Sequence, residues 1–99
     1  MIQIVWEYRV RPEKVIPFES NYASAGTWAQ LFQKSRAYRG TVLIRDAETP
    51  QRYMTVDVWT DRAAYDAFRA EHAKEYEELD KLCAEFTLEE KLVGIFEVV

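Results

Sequence analysis

The segment Tyr53-Met54-Thr55-Val56-Asp57-Val58-Trp59-Thr60-Asp61 decides the fold, because a period of two gives way to a helix start inside it. From Tyr53 to Trp59 the residues alternate between two unlike faces, which is the pattern of a strand. Met54, Val56 and Val58 make a purely apolar face and predict the core side. Tyr53, Thr55, Asp57 and Trp59 make the other. Thr60-Asp61 then supplies a side-chain oxygen and a negative charge where the first N–H groups of a helix have no partner.

Upstream, Gly40 opens the run Thr41-Val42-Leu43-Ile44, and the turn-prone Ala47-Glu48-Thr49-Pro50 separates it from Tyr53, so an antiparallel hairpin is expected. Downstream, Tyr65, Phe68, His72, Tyr76, Leu79, Cys83 and Phe86 recur at steps of three or four, predicting one long helix with a single packed face. At the start of the chain, Ile2, Ile4, Trp6, Tyr8 and Val10 alternate with Gln3, Val5, Glu7 and Arg9, predicting a strand that buries the first set. Pro12 and Pro17 favour a helix start, Phe18 and Tyr22 share a helical face, and Gly26 interrupts it. Thr27 is then expected to cap a second helix with the stripe Trp28, Leu31, Phe32. Leu92 to Val99 reads as a final strand.

The order β-α-α-β-β-α-β is a split βαβ pattern, an α+β fold whose four-stranded antiparallel sheet carries its helices on one face. The other face needs cover. Tyr53 and Trp59 are too apolar to leave in water beside Asp57, so a second copy of the chain is expected there, with Tyr53, Asp57 and Trp59 at a homodimer interface.

At 99 residues, 48% of them hydrophobic and 14% aromatic, there is material for one core and not two, so residues 1–99 should form a single domain. Three glycines and three prolines are few for an all-β chain, which favours long elements. A net charge of −4, with acidic residues gathered between Glu71 and Glu90, argues against a nucleic-acid partner. Cys83 is the only cysteine and His72 the only histidine, so no intramolecular disulfide or closed metal site is expected. Without a basic leader or an apolar run of ~20 residues, the chain reads as cytoplasmic, with no membrane partner.

The phrases Phe18-Glu19-Ser20-Asn21-Tyr22, Thr27-Trp28-Ala29-Gln30-Leu31-Phe32, Gly40-Thr41-Val42-Leu43-Ile44-Arg45-Asp46 and Val56-Asp57-Val58-Trp59-Thr60-Asp61 resemble the antibiotic biosynthesis monooxygenase domain family over nearly the whole chain. The most specific piece is Asp57, a spacer, Trp59 and the capped helix start. The resemblance implies a ferredoxin-like monomer that forms a dimeric α/β barrel, with a pocket between sheet and helices in each subunit. Some members of that family oxygenate aromatic polyketides without metal or flavin. A related branch degrades haem, but here Phe68 stands near the place of its helical Trp, His72 comes too early for its axial ligand, and the first strand has no Asn.

No glycine-rich phosphate loop, paired metal-binding histidines or nucleophile elbow is present. The candidate catalytic residue is His72, an imidazole on an apolar stripe between Phe68 and Tyr76, where burial would disfavour its charged form and leave a neutral base. The bland reading is a hydrogen-bonded histidine filling the helix–sheet interface. Trp6, Tyr8, Trp28, Phe32, Tyr65, Phe68 and Tyr76 are the candidate lining for a small flat aromatic ligand, with simple core packing as the alternative for each. Arg36 or Arg45 could hold an anionic group, though solvent exposure suits either better, and Cys83 belongs to the packed stripe. Two functions follow as expectations: cofactor-independent oxygenation of a small aromatic or polyketide-like compound, or a non-catalytic small-molecule binding or accessory dimer.

Overall fold

Ile2–Val10 forms β1 because its alternate side chains find a core on one side only, and Ile2, Ile4, Tyr8 and Val10 are buried as their parity predicts. The computed structural model, which describes residues 1–99, continues through a short 3₁₀ turn at Pro12–Lys14 into α1 (Val15–Tyr22) and α2 (Thr27–Phe32). The hairpin follows as β2 (Tyr38–Arg45) and β3 (Arg52–Trp59), then α3 (Arg62–Glu71), α4 (Ala73–Cys83), a 3₁₀ turn and β4 (Thr87–Glu97). The strands lie in the order β2-β3-β1-β4 with every neighbour antiparallel, so this is the expected ferredoxin-like α+β fold. No helix is long and apolar enough to cross a membrane.

Gly26 separates α1 from α2 for a steric reason. A Cβ there would stand 2.5 Å from the carbonyl oxygen of Asn21, so only glycine lets the chain turn this tightly. Gly26 itself takes the cap position of α2, and Thr27, expected as the cap, donates its hydroxyl to Asn21 Oδ1 at 2.7 Å instead. The cap of α3 is as expected: Asp61 Oδ1 accepts the N–H of Ala64 at 2.8 Å.

Three expectations are corrected. The long helix is two, because the backbone leaves helical geometry at His72 and divides α3 from α4. The last strand starts at Thr87 rather than Leu92, since its first residues already pair with the end of β1. The faces of β3 are reversed. Ile2 pairs with Trp59 and Ile4 with Asp57, which puts Tyr53, Thr55, Asp57 and Trp59 under the helices. Trp59 has no exposed surface, and Tyr53 and Asp57 are buried against this chain's own elements, so none of the three is available to a partner's sheet.

Large rings make up most of the layer between sheet and helices, beside Ile2, Ile4, Val10, Leu31 and Leu79. Phe18 stacks on Tyr22 at 4.3 Å between centroids, while Trp59 meets Phe32 at 5.6 Å and Phe68 at 5.2 Å. The open face is mostly aliphatic. Val42, Ile44 and Phe96 are exposed there, beside the half-buried Val5, Met54, Val56 and Val58.

Candidate active site

The aromatic layer is incomplete at one place. Between the sheet and the helices lies a cavity of about 210 Å³, with Trp6, Tyr8, Thr41, Thr55 and Asp57 on its sheet side. Tyr22 of α1, Trp28 and Phe32 of α2, and Tyr76 of α4 supply the aromatic walls. Trp28 meets Tyr76 edge-on at 4.9 Å, so α2 and α4 close over the space together. Arg69, Asp80 and Glu90 bring charge to it.

Asp57 is the unusual member. It is 9% exposed, and its one hydrogen bond within the chain comes from Thr41, whose hydroxyl donates to Oδ1 at 2.6 Å. Tyr38 donates in turn to Thr41 at 2.5 Å, which holds the Thr41 hydrogen on the carboxylate. Burial pushes the Asp57 carboxyl up from 3.8 to about 6, against the smaller opposing effect of the Thr41 hydrogen bond. The surrounding phenols move the other way from reactivity: burial holds Tyr8, Tyr22 and Tyr76 above the ordinary tyrosine value, so they stay neutral. Burial and the neighbouring Asp80 also raise Glu90, which sits at the exposed rim. A carboxyl that titrates near neutral pH in a ring-lined cavity can take a proton from a weakly acidic hydroxyl and return it.

Of the seven residues expected to line a ligand site, Trp6, Tyr8, Trp28, Phe32 and Tyr76 do line the cavity. Tyr65 and Phe68 do not. Tyr65 packs on Trp59 at 5.2 Å and accepts a hydrogen bond from Arg69 at 2.9 Å, while Phe68 lies between Phe32 and Trp59. His72 is outside as well. At the joint of α3 and α4 its Nδ1 bonds Glu75 Oε1 at 2.8 Å, Glu75 is also held by Lys34, and the imidazole faces a hollow beside Ser35 and Ala37. Arg36 is exposed, Arg45 is exposed 3.8 Å from Glu19, and Cys83 is buried in the core.

The model of the family described as antibiotic biosynthesis monooxygenase matches residues 1–79. The chain belongs to the antibiotic biosynthesis monooxygenase family. Among solved structures, a variant of SnoaB, a cofactor-independent oxygenase from Streptomyces nogalater, is 20% identical, covers 98% of this chain and 91% of its own, and has a TM-score of 0.81. A Bordetella bronchiseptica protein named for the same family is 27% identical over 99% of this chain and 96% of its own, with a TM-score of 0.75. A Deinococcus radiodurans protein, also named for it, is 11% identical over 100% and 93%, with a TM-score of 0.80. No curated protein matches the chain.

Within this antibiotic biosynthesis monooxygenase chain, sequence reasoning gave Asp57 to the wrong face and passed over Thr41, Tyr22 and Arg69. The register held the missing signal for Asp57. Once Ile2 and Ile4 are taken as buried, antiparallel pairing with β3 forces their partners Trp59 and Asp57 to the same side. Arg69 lay one turn after Tyr65 and two before Tyr76 on the packed face of the helical stretch, a spacing that places its guanidinium among rings.

Proposed function

We propose that residues 1–99 form one domain that oxygenates a small hydroxylated aromatic compound without a bound electron carrier, with Asp57 as the general base. The observation that carries this reading is a carboxyl with a pKa of about 6, buried on the sheet side of a cavity walled by Tyr8, Trp28, Phe32 and Tyr76. The likeness to SnoaB, described as a cofactor-independent oxygenase, supports it. A cavity of about 210 Å³ suits one or two fused rings, below the ~300 to 1,000 Å³ of pockets for larger ligands.

The chemistry balances within the substrate. Asp57 accepts the hydroxyl proton of a phenol with a free para carbon, and the resulting phenolate passes one electron to O2. The radical pair couples at the para carbon, forming a C–O bond, and the peroxide takes the proton back. Loss of the para C–H proton with cleavage of the O–O bond leaves a quinone and water. One oxygen atom ends in the product, the other in water, and every electron that reduces O2 comes from the substrate. Asp57 lowers the barrier by supplying the electron-rich anion, for which positioned bases contribute ~10² to 10⁴.

The open sheet face supports a homodimer in the same reading. Val42, Ile44, Met54, Val56, Val58 and Phe96 form an aliphatic surface on the side of the sheet away from the cavity, and a second copy would bury it. Each protomer then keeps its own site.

Oxygen uptake and quinone absorbance with 1-naphthol at pH 7.5 test the activity. The parent is expected to turn over, and Asp57→Asn to lose ~10² or more in kcat with binding largely kept. A parent that binds 1-naphthol and consumes no oxygen above the buffer rate overturns the oxygenase reading and leaves a binding module.

A further inference from the structure

Arg69 has no task in the proton transfer. Its guanidinium carbon lies 3.8 Å from the Tyr76 ring centroid, and Nη1 donates to the Tyr65 hydroxyl at 2.9 Å. No carboxylate lies within ion-pair distance of this half-buried side chain, whereas Arg45 has Glu19, Arg52 has Glu7 and Asp46, and Arg62 has Asp66. Arg69 and Asp57 both line the main cavity, with no hydrogen bond or ion pair between them: the Asp57 carboxyl bonds Thr41, and the Arg69 guanidinium bonds Tyr65. Arg69 also borders a space that Asp57 does not reach.

That space is a second hollow, of about 370 Å³, between α3 and the β1–β4 side of the sheet. Arg69 and Trp6 stand in both it and the main cavity, so they form the wall where the two meet. The rest of the hollow is mostly apolar, from Ile4, Leu92 and Ile95, with Arg62 at its edge already bound to Asp66. A half-buried guanidinium with free N–H donors, held flat on one tyrosine and tied to another, is shaped for a planar acceptor such as a carboxylate. Asp80 and Glu90 at the cavity and Asp66 at the hollow oppose any anion, and oppose a singly charged carboxylate about half as strongly as a doubly charged phosphate.

We infer that Arg69 anchors a carboxylate substituent of the ligand, so that the site takes hydroxy-aromatic acids: the ring lies in the cavity against Trp28 and Tyr76, its hydroxyl reaches Asp57, and the acidic arm points toward the second hollow. The inference rests on the ring-lined cavity being the substrate site, as proposed above. It adds a specificity determinant and assigns Arg69 no part in the oxygen chemistry.

Binding alone tests it. Calorimetric titration with 1-naphthylacetate and with the neutral match 1-naphthaleneethanol should show the acid binding roughly tenfold or more tightly to the parent, the scale of one charge-assisted hydrogen-bonded pair. Arg69→Gln should remove that preference while changing affinity for the alcohol little, and Arg69→Lys should restore part of it. Equal affinity of the parent for the two probes overturns the inference without any variant. Equal loss of both in a folded Arg69→Gln protein also overturns it and makes Arg69 a wall residue. Because no turnover is measured, a chain that fails the 1-naphthol assay can still pass here, and an active one can fail.

Discussion

Thr41 and Asp57 stand opposite each other across the β2–β3 ladder, and the Thr41 hydroxyl donates to the Asp57 carboxylate at 2.6 Å. This is the one contact within the chain that steadies the ionised form of a carboxyl otherwise disfavoured by burial. The kcat/KM of the parent should therefore fall on the acid side with an apparent pKa of about 6, as Asp57 takes up its proton. Thr41→Val should move that limb upward by about one unit, since the lost bond served the charged form. An unmoved limb in an active variant would assign the titration to another group.

Stability should run against activity at Asp57. Its pKa in the folded chain is raised from 3.8 to about 6, so the folded state binds this proton more readily than the unfolded one. The contribution to stability is complete below pH 3.8, fades as pH rises toward 6, and becomes a full penalty above it, approaching about 3 kcal/mol. Asp57→Asn keeps an acceptor for Thr41 and has no charge to bury. Urea denaturation from pH 4 to 7.5 should show the variant gaining on the parent as pH rises. A constant gap would contradict the buried-carboxyl picture.

His72→Gln should leave kcat and ligand affinity within about twofold, because the imidazole bonds Glu75 on the far side of the helical layer from Asp57. The cost to stability should stay within about 1 kcal/mol, the scale of a single side-chain hydrogen bond near the surface. A loss of turnover near that of Asp57→Asn would bring His72 back as the base.

Val56→Arg should dissociate the dimer while the monomer stays folded, since Val56 stands mid-strand on the open face and touches none of the ring layer. Light scattering after size exclusion reads the mass directly, and a stable interface here should bury at least ~1,200 Å² in total. Should the variant keep the parent's mass, the partner sits elsewhere; should the parent already be monomeric, the barrel is excluded.

Element order, the α3 cap and the burial of alternate residues in β1 were legible because each rests on local periodicity or on a single side chain finishing a helix end. The polarity of β3 was not. Met54, Val56 and Val58 outrank Tyr53, Thr55, Asp57 and Trp59 in apolar character, yet which side becomes the interior depends on the strand's partners. The division at His72 escaped for a related reason: spacing stays regular from Phe68 to Tyr76 even though the backbone bends between them. Five of the cavity's aromatic residues could be named in advance as ring-bearing, whereas Asp57 and Arg69 acquire meaning only when distant elements bring them to one space.

The alternation along β3 separates two tasks within one short string. Position 57 answers to whatever occupies the cavity and position 56 to whatever meets the open sheet, and the backbone between them keeps the two from trading places. Under the proposed reading, substitutions at Thr55 and Asp57 act on the cavity, and substitutions at Met54, Val56 and Val58 act on the open sheet face. Diversifying only 55 and 57, or only 54, 56 and 58, should accordingly produce two libraries whose altered properties scarcely overlap.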